Sequence, residues 1–254
     1  MNNYYLIDSH THPQFPQYDK DREEVIKRAL DKGVGMICVG TDLETSKQAI
    51  ELAHKYDGIY ASVGLHPNDN NREEFDYDKY LELAKDEKVV AIGETGLDYY
   101  RTEGEKNFEK QKEIFKLQIR LAREVGLPLI IHCRDAYEDT FSILSQEKEI
   151  RGVMHSFLSS VKNAKKFLDL GLYLGFNGII TFARDYDKVI KETPLEKILI
   201  ETDAPFLAPE PYRGKRNESL YVEYICGKLS TLLNIDKNII ATRTVDNSKT
   251  LFGI

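Results

Sequence analysis

Eight short apolar runs alternate with longer amphipathic stretches along the whole chain. The apolar runs occupy residues 4–8, 35–40, 59–64, 89–93, 127–131, 152–155, 172–176 and 197–200. The other stretches repeat apolar residues at helical spacing and predict helices at 21–32, 44–56, 78–85, 105–125, 137–147, 161–170, 186–192, 218–233 and 237–252. Strands that are apolar on both faces are typical of a parallel sheet covered by helices on both sides.

Two architectures fit such an alternation, a closed (β/α)8 barrel and an open doubly wound sheet. Eight βα units in 254 residues match one barrel. The open sheet usually carries a glycine-rich first turn, but here Cys38 stands where the third glycine of the one candidate would be. No linker divides the chain. We therefore predict an α/β fold, a TIM barrel forming one domain over residues 1–254, with its site at the C-terminal rim of the strands.

The composition narrows the class of protein. Hydrophobic residues make up 41% of the chain and charged residues 30%, as in globular proteins. Neither an apolar run of membrane-spanning length nor a secretory leader is visible, so we expect no membrane span and a cytoplasmic location. The net charge of −7 argues against extensive wrapping of nucleic acid. It does not exclude a nuclease, because bound divalent cations can invert the local field.

Two histidines close the first apolar run in an H-x-H pattern. His10 and His12 are two residues apart, and such positions on an extended segment project to one side. Asp8 shares that side and could orient one of the imidazoles. Two neutral imidazoles on one face can bind one cation. A lone H-x-H is weak evidence, since it also fits a solvated loop before Pro13.

Four further polar residues close later apolar runs. Taken singly, a capping or ion-paired glutamate and satisfied buried histidines are the simpler interpretations. Together they favour a common metal site, because the strand ends of a barrel converge on one rim. An acid after the eighth strand would face the first strand across the barrel. These residues are Glu94, His132, His155 and Asp203.

The six side chains are enough ligands for two divalent cations that share Glu94. Two such ions can activate a water molecule and neutralise both the attacking and the leaving oxygen. Mixed histidine and carboxylate ligands suit zinc or manganese, and a carboxylate-rich solvated site also works with magnesium. Glu201 alternates with Asp203 and either supports a ligand or forms an ion pair.

Several residues near the predicted rim could bind substrate. His66 ends the third strand and could contact substrate or leaving group, although a structural role fits equally well. Arginine matches phosphate oxygens in a bidentate geometry, which favours Arg134, Arg213 and Arg216 as phosphate contacts. Arg101 also falls in a rim loop, where a solvated charge is the simpler interpretation.

The segments around these residues resemble the TatD family of metal-dependent deoxyribonucleases over essentially the whole length of the chain. The resemblance rests on IDSHTH (7–12), VGLHP (63–67), AIGETGLD (91–98), PLIIHCRDA (128–136), HSF (155–157), LIETDAP (199–205) and PYRGKRNE (211–218). One departure is visible: the family usually places an acidic or amide residue and a small apolar one soon after the H-x-H, and here Pro13 and Gln14 intervene.

The resemblance implies a metal-dependent hydrolase with a defined ligand set. His10, His12, Glu94 and Asp203 would hold one metal, and Glu94, His132 and His155 the second. Asp203 would act as the base, with Glu94 as the other catalytic residue, and the departure after His12 affects only the adjoining loop.

Three functions remain open at this stage. The first is a deoxyribonuclease that trims single strands or ends of DNA without an obligate protein partner. The second is a two-metal hydrolase of esters or amides, such as an aminoacyl-tRNA deacylase. The third is a barrel that binds metal or nucleic acid without turnover, against which the complete ligand set argues.

Overall fold

A single sheet of eight parallel strands forms the centre of the molecule. The protein is represented by a computed structural model that describes residues 4–70, 72–100 and 104–254. Each strand pairs with its neighbour in sequence. The strands are β1 (Leu6–Thr11), β2 (Val34–Val39), β3 (Ile59–Val63), β4 (Val89–Asp98), β5 (Leu129–Arg134), β6 (Gly152–Met154), β7 (Tyr173–Phe176) and β8 (Ile198–Ile200).

Backbone hydrogen bonds join the first strand to the segment that follows the last one. The amide of Asp203 donates to the carbonyl of His10 at 2.9 Å, and the amide of His12 donates to the carbonyl of Ala204 at 2.8 Å. Thr11 and Ala204 form a parallel bridge at the same place. The sheet therefore closes on itself, which confirms the predicted (β/α)8 barrel and brings the H-x-H next to Asp203.

Helices follow the strands in the order that the sequence predicts. They are α1 (Arg22–Leu30), α2 (Leu43–Lys55), α3 (Tyr77–Ala84), α4 (Glu105–Val125), α5 (Tyr137–Leu144), α6 (Val161–Asp169), α7 (Asp187–Glu192), α8 (Val222–Leu233) and α9 (Lys237–Phe252). Short 3-10 turns also occur, and one of them (Ser219–Tyr221) takes up the start of the stretch predicted as one helix from 218. No helix among the described residues has the length and apolar character needed to cross a membrane.

Three strands end later than the sequence-based expectation, and all three differences affect the site. The first strand was predicted to end at Asp8, but β1 continues to Thr11 and carries His10 within it. The fourth was predicted to end at Gly93, but β4 continues to Asp98. Its extension pairs with the end of β5, with Gly96 opposite His132. The fifth, predicted to end at Ile131, continues to Arg134 and carries His132 within it. Most residues of these extensions are polar or glycine, so their strand conformation comes from pairing with the neighbouring strands rather than from a hydrophobic pattern.

The alternation of strand side chains creates two separate apolar clusters. In β2, Met36 and Cys38 join the large cluster between strands and helices, whereas Ile37 and Val39 belong to a second, smaller one. Side chains of other strands join this second cluster, and so does the end of α9 (Val90, Ala91, Ile130, Val153, Leu199, Leu251 and Phe252). In β5 and β8 these residues precede the predicted ligands. The apolar filling of the barrel therefore supports the site from below.

Helix α2 begins with a complete capping box. A carboxylate oxygen of Asp42 accepts the backbone N–H of Thr45 at 2.7 Å, and the Thr45 hydroxyl accepts the backbone N–H of Asp42 at 3.0 Å. Both bonds satisfy amides that the helix itself leaves without a partner.

Substituting Asp42→Ala removes one of these bonds and exposes an unpaired amide. We expect the free energy of unfolding to fall by about 1 kcal/mol, the typical value of an N-cap. Denaturant unfolding followed by circular dichroism measures the change. Lys47→Ala, at an exposed position of the same helix, is the matched control and should leave stability nearly unchanged. Equal stability of the two variants would contradict this role of the cap.

Candidate metal centre

His10 and His12 direct ring nitrogens towards each other on the inner side of β1. Their Nε2 atoms are 3.1 Å apart, and both side chains are buried. Nδ1 of His12 lies 2.8 Å from the carbonyl oxygen of Val39. A carbonyl can only accept a hydrogen bond, so in the neutral ring the hydrogen is on Nδ1 and the lone pair is on Nε2. That tautomer presents a ligand atom to the space between the two histidines.

Glu94 lies at the centre of the cluster, and one of its oxygens faces the H-x-H pair. Its Oε2 is 3.4 Å from Nε2 of His10 and 3.9 Å from Nε2 of His12. The backbone amide of Glu94 donates to the carbonyl of Gly40, which directly follows β2, at 2.8 Å. This bond fixes the backbone from which the Glu94 side chain extends.

The other oxygen of Glu94 faces three further histidines. Oε1 is 2.9 Å from Nδ1 of His132 and 3.5 Å from Nε2 of both His155 and His66. A single carboxylate therefore contacts imidazoles from both sides, as a bridging ligand of two cations must.

Asp203 completes the side of the cluster near β1. Its Oδ1 lies 3.7 Å from Nε2 of His10 and 3.5 Å from Nε2 of His12. The residue has a positive φ of 55°, a left-handed conformation that aspartate tolerates better than most residues. Its side chain is 16% exposed, compared with 5% for Glu94, so Asp203 is the more accessible carboxylate.

Two buried carboxylates hold the outer nitrogens of the remaining imidazoles. Nε2 of His132 lies 3.0 Å from Oδ2 of Asp98, and Nδ1 of His155 lies 2.9 Å from Oε1 of Glu201. A carboxylate on the far nitrogen orients the ring and raises its basicity as a ligand. Glu201 therefore pairs with a histidine, one of the two roles considered from sequence.

The sequence analysis missed Asp98 because it predicted that β4 ends at Gly93. Asp98 lies four residues beyond Glu94 on the same strand, so strand alternation directs both side chains to the same side.

Two glutamines of α4 fasten the segments that carry His66 and Asp98. Gln118 accepts the backbone N–H of Leu65 and donates to the Leu65 carbonyl, both at 2.9 Å. Gln111 accepts the backbone N–H of Asp98 at 2.9 Å and donates to its carbonyl at 3.1 Å. The two residues are seven apart and lie on one helical face.

His66 differs from His12 in its tautomer. Its Nδ1 accepts the backbone N–H of Asn68 at 3.1 Å, so the neutral ring carries its hydrogen on Nε2. Burial lowers the pKa of His66 to about 3, which keeps the ring neutral. The nitrogen that points at Glu94 is then a hydrogen-bond donor rather than a lone pair.

Asp8 does not orient an imidazole as the sequence suggested it could. Its carboxylate accepts the backbone N–H of Thr202 at 2.8 Å and the Thr202 hydroxyl at 2.5 Å. Burial raises the pKa of Asp8 to about 7. The residue ties β1 to the segment after β8, which keeps His10 and Asp203 at a fixed separation.

The charges of the cluster depend on one another. Burial alone would raise the pKa of Glu94, but the surrounding histidines hold it well below its usual range. Burial likewise opposes the ionisation of Asp203, and the nearby imidazoles of His12, His155 and His10 lower its pKa. The two acids are thus kept ionised. Concentrated negative charge of this kind favours a cation in their midst.

Donor atoms of the cluster form three groups compact enough to hold an ion. Within each group the ligand atoms lie no more than 4.8 Å apart. The groups are His10, His155 and Asp203; His10, His12 and Glu94; and His66, Glu94 and His132. The tautomer of His66 makes the third the least suited of them. Neutral imidazole and carboxylate donors with anchored outer nitrogens fit divalent transition metals.

The arginines predicted to bind phosphate differ in their surroundings. Arg134 is exposed at the end of β5 and lies 3.8 Å from the ring centroid of Tyr100, and Arg213 is exposed 3.8 Å from that of Phe182. Arg216 instead forms a bidentate pair with Asp21 at 2.6 and 2.7 Å. Its guanidinium is therefore already engaged, and substrate contact by Arg216 stays a prediction. Arg101 lies outside the described residues.

Comparisons with known proteins agree with this geometry. The model of the family described as TatD related DNase matches residues 7–253. An uncharacterized metal-dependent hydrolase of Bacillus subtilis, YabD, is 45% identical, with 98% of this chain and 99% of YabD covered. The 3'-5' ssDNA/RNA exonuclease TatD of Citrobacter koseri is 36% identical over 94% of this chain and 95% of its own. The crystal structure of YjjV, a TatD homologue from Escherichia coli, superimposes with a TM-score of 0.89 at 31% identity, covering 98% of each chain.

Substituting Glu94→Gln keeps the size of the side chain but removes the charge that both sets of histidines face. We expect metal affinity to fall by more than the roughly 10- to 100-fold that loss of an outer partner causes. Elemental analysis of gently purified protein, with titration of Mn²⁺ or Zn²⁺ into the apoprotein, measures the effect. The control Glu82→Gln, an exposed residue of α3, should bind metal like the wild type. Undiminished metal content in the Glu94 variant would contradict a central ligand role.

The hydrogen bond from His132 to Asp98 can be tested separately. Asp98→Asn retains the shape of the side chain but loses the charge, so the imidazole becomes a weaker ligand. We expect metal affinity to fall about 10- to 100-fold while the fold is maintained. Metal titration and circular dichroism on the same preparation distinguish this result from general unfolding, and unchanged affinity would exclude the proposed support.

Proposed function

The chain belongs to the TatD family of metal-dependent hydrolases, and on this premise we propose that it hydrolyses phosphodiester bonds of DNA, at single strands or at strand ends. The observation that carries the proposal is the position of Glu94, whose two oxygens face different sets of imidazoles. Such an arrangement supports two divalent cations bridged by one carboxylate, with Mg²⁺, Mn²⁺ and Zn²⁺ as the candidates.

The residues divide between two ions in our proposal. One ion would be held by His10, His12, Glu94 and Asp203. The second would be held by Glu94, His132 and His155. When bound, the ions would lower the pKa of a water molecule and neutralise negative charge on the phosphate. The protein's own part is to keep the imidazoles correctly oriented, which Val39, Asp98 and Glu201 support through the outer nitrogens.

Asp203 is the proposed proton acceptor. It is the more exposed of the two central carboxylates, and its lowered pKa keeps it ionised and able to accept a proton from the attacking water. Glu94 is less accessible and is held between histidines, which suits a bridging role better than proton transfer. His66 would donate from Nε2 to an oxygen of the substrate, because its other nitrogen accepts the amide of Asn68.

Contacts with the phosphate backbone are assigned to the exposed arginines of the rim. Arg134 follows His132 by two residues on β5, so strand alternation directs both to one side. Arg213 lies in the segment after β8, downstream of Asp203. With a net charge of −7, the protein can offer only a small basic surface, which favours a short stretch of strand over a long duplex. The exonuclease name of the Citrobacter koseri relative supports the same substrate class.

We expect Asp203→Asn to lower kcat on a single-stranded oligonucleotide by roughly 10²- to 10⁴-fold, the usual contribution of a general base. The amide cannot accept the proton but keeps the shape of the side chain. Release of labelled nucleotides in Mg²⁺ or Mn²⁺ measures the rate, and metal content measured in parallel separates loss of the base from loss of the ion. The control is Asp246→Asn, which changes an exposed residue of α9. Full activity of the Asp203 variant would refute the assignment.

A substrate panel tests the proposed function itself. Single-stranded DNA, RNA and duplex DNA, each labelled at one end, are incubated with the metal-loaded enzyme and compared with aminoacyl-tRNA. We expect stepwise shortening of single-stranded DNA that a chelator abolishes. Rapid deacylation of aminoacyl-tRNA without any shortening of oligonucleotides would instead identify an ester hydrolase, and the proposal would be abandoned.

A further inference from the structure

A chain of aromatic rings leads from the metal cluster to the protein surface. The ring of Phe15 stacks on the imidazole of His12, with centroids 4.4 Å apart and planes 11° from parallel. The ring of Phe206 meets Phe15 edge-on at 6.3 Å. Phe206 is therefore separated from a candidate metal ligand by a single intervening ring.

The backbone fixes both phenylalanines. The amide of Phe15 donates to the carbonyl of His12 at 3.1 Å, and the amide of Phe206 donates to that of Asp203 at 2.9 Å. The carbonyl of Phe206 accepts a further bond from Nδ2 of the buried Asn217 at 2.6 Å. Each ring thus follows a predicted metal ligand by three residues and is held by a bond to that ligand's carbonyl. Their position relative to the cluster is preorganised.

Phe206 is nevertheless 46% exposed, one of the large apolar side chains that the fold leaves in water. An exposed phenyl ring forgoes the favourable free energy that it would gain if its apolar surface were buried. The ring carries no charge and no hydrogen-bonding group, so it has little to offer a phosphate. A flat apolar surface beside a phosphodiester site is suited to the uncharged aromatic part of a nucleic acid, which is the base.

We propose that Phe206, supported from behind by Phe15, stacks against a nucleobase adjacent to the bond that is hydrolysed. This inference rests on the proposed function and adds how the substrate is held. Stacking on an aromatic ring tolerates any base, because every base has a π-face. The enzyme would therefore bind strands with little preference for sequence while the metal cluster acts on the backbone.

Fluorescence of a terminal base tests the contact directly. The probe is a short single-stranded oligonucleotide that ends in 2-aminopurine and carries a phosphorothioate at its last linkage to slow hydrolysis. On binding to the Mn²⁺-loaded wild type, we expect the emission to be quenched by stacking. Phe206→Leu keeps apolar volume but has no ring, so quenching should be lost and KM for unmodified oligonucleotide should rise roughly 5- to 100-fold, with kcat little changed. Phe206→Tyr should restore both.

Two controls separate the ring from other causes. Tyr5→Ala removes an aromatic side chain of similar exposure just before β1, at the opposite end of the strands, and should behave like the wild type. An oligonucleotide whose terminal nucleotide is an abasic tetrahydrofuran analogue keeps the phosphodiester but has no base there, and Phe206→Leu should bind and hydrolyse it as the wild type does.

The possible outcomes distinguish this inference from the proposed function. Cleavage of oligonucleotides with no quenching in the wild type would overturn the stacking contact and leave the nuclease function intact. Quenching in the wild type without any cleavage of oligonucleotides would support the stacking contact and overturn the nuclease function. Equal affinity and quenching in the wild type and in Phe206→Leu would show that the ring does not bind the base.

Discussion

A buried carboxylate surrounded by imidazoles is the constraint on which this molecule depends. Glu94 has almost no access to water, and an ionised acid in such a place requires positive charge nearby. The histidines that face it come from β1, β5 and the segments after β3 and β6. The arrangement is useful only if these strand ends are held together. Asp98 and Glu201 orient two of the histidines, and the α4 glutamines bind the backbone at Leu65 and Asp98, so these residues keep the donor atoms in place.

Barrel closure makes this convergence possible. Residues 10–12 and 203–204 are joined by backbone bonds across nearly the full length of the chain, and Asp8 adds a side-chain link to Thr202. In an open sheet with the same strand order, the first and last strands would lie at opposite edges. The apolar side chains inside the barrel and beneath its helices supply the energetic support.

Chemistry and recognition occupy different depths of the same rim. The cluster is buried, and its polar atoms are held by neighbours, as a preorganised site requires. Arg134, Arg213 and Phe206 are exposed, and each contacts an aromatic ring of the protein. Such a division allows the outer residues to vary with substrate while the inner ones retain their geometry.

Much of this protein could be predicted from local properties of its sequence. Periodicity indicated eight strands, their helices and their order, and the positions of His10, Glu94 and Asp203 after apolar runs indicated a cluster, because strand ends of a barrel share one rim. Other features depend on distances between residues remote in the chain. The extension of β4 to Asp98, the pair of His155 with Glu201 and the engagement of Arg216 by Asp21 arise only when the barrel closes. Residue types and spacings thus determined the fold and the candidate donors. Tertiary packing decided which nitrogen of each histidine faces the site, because the orientation of the ring depends on the partner of its other nitrogen.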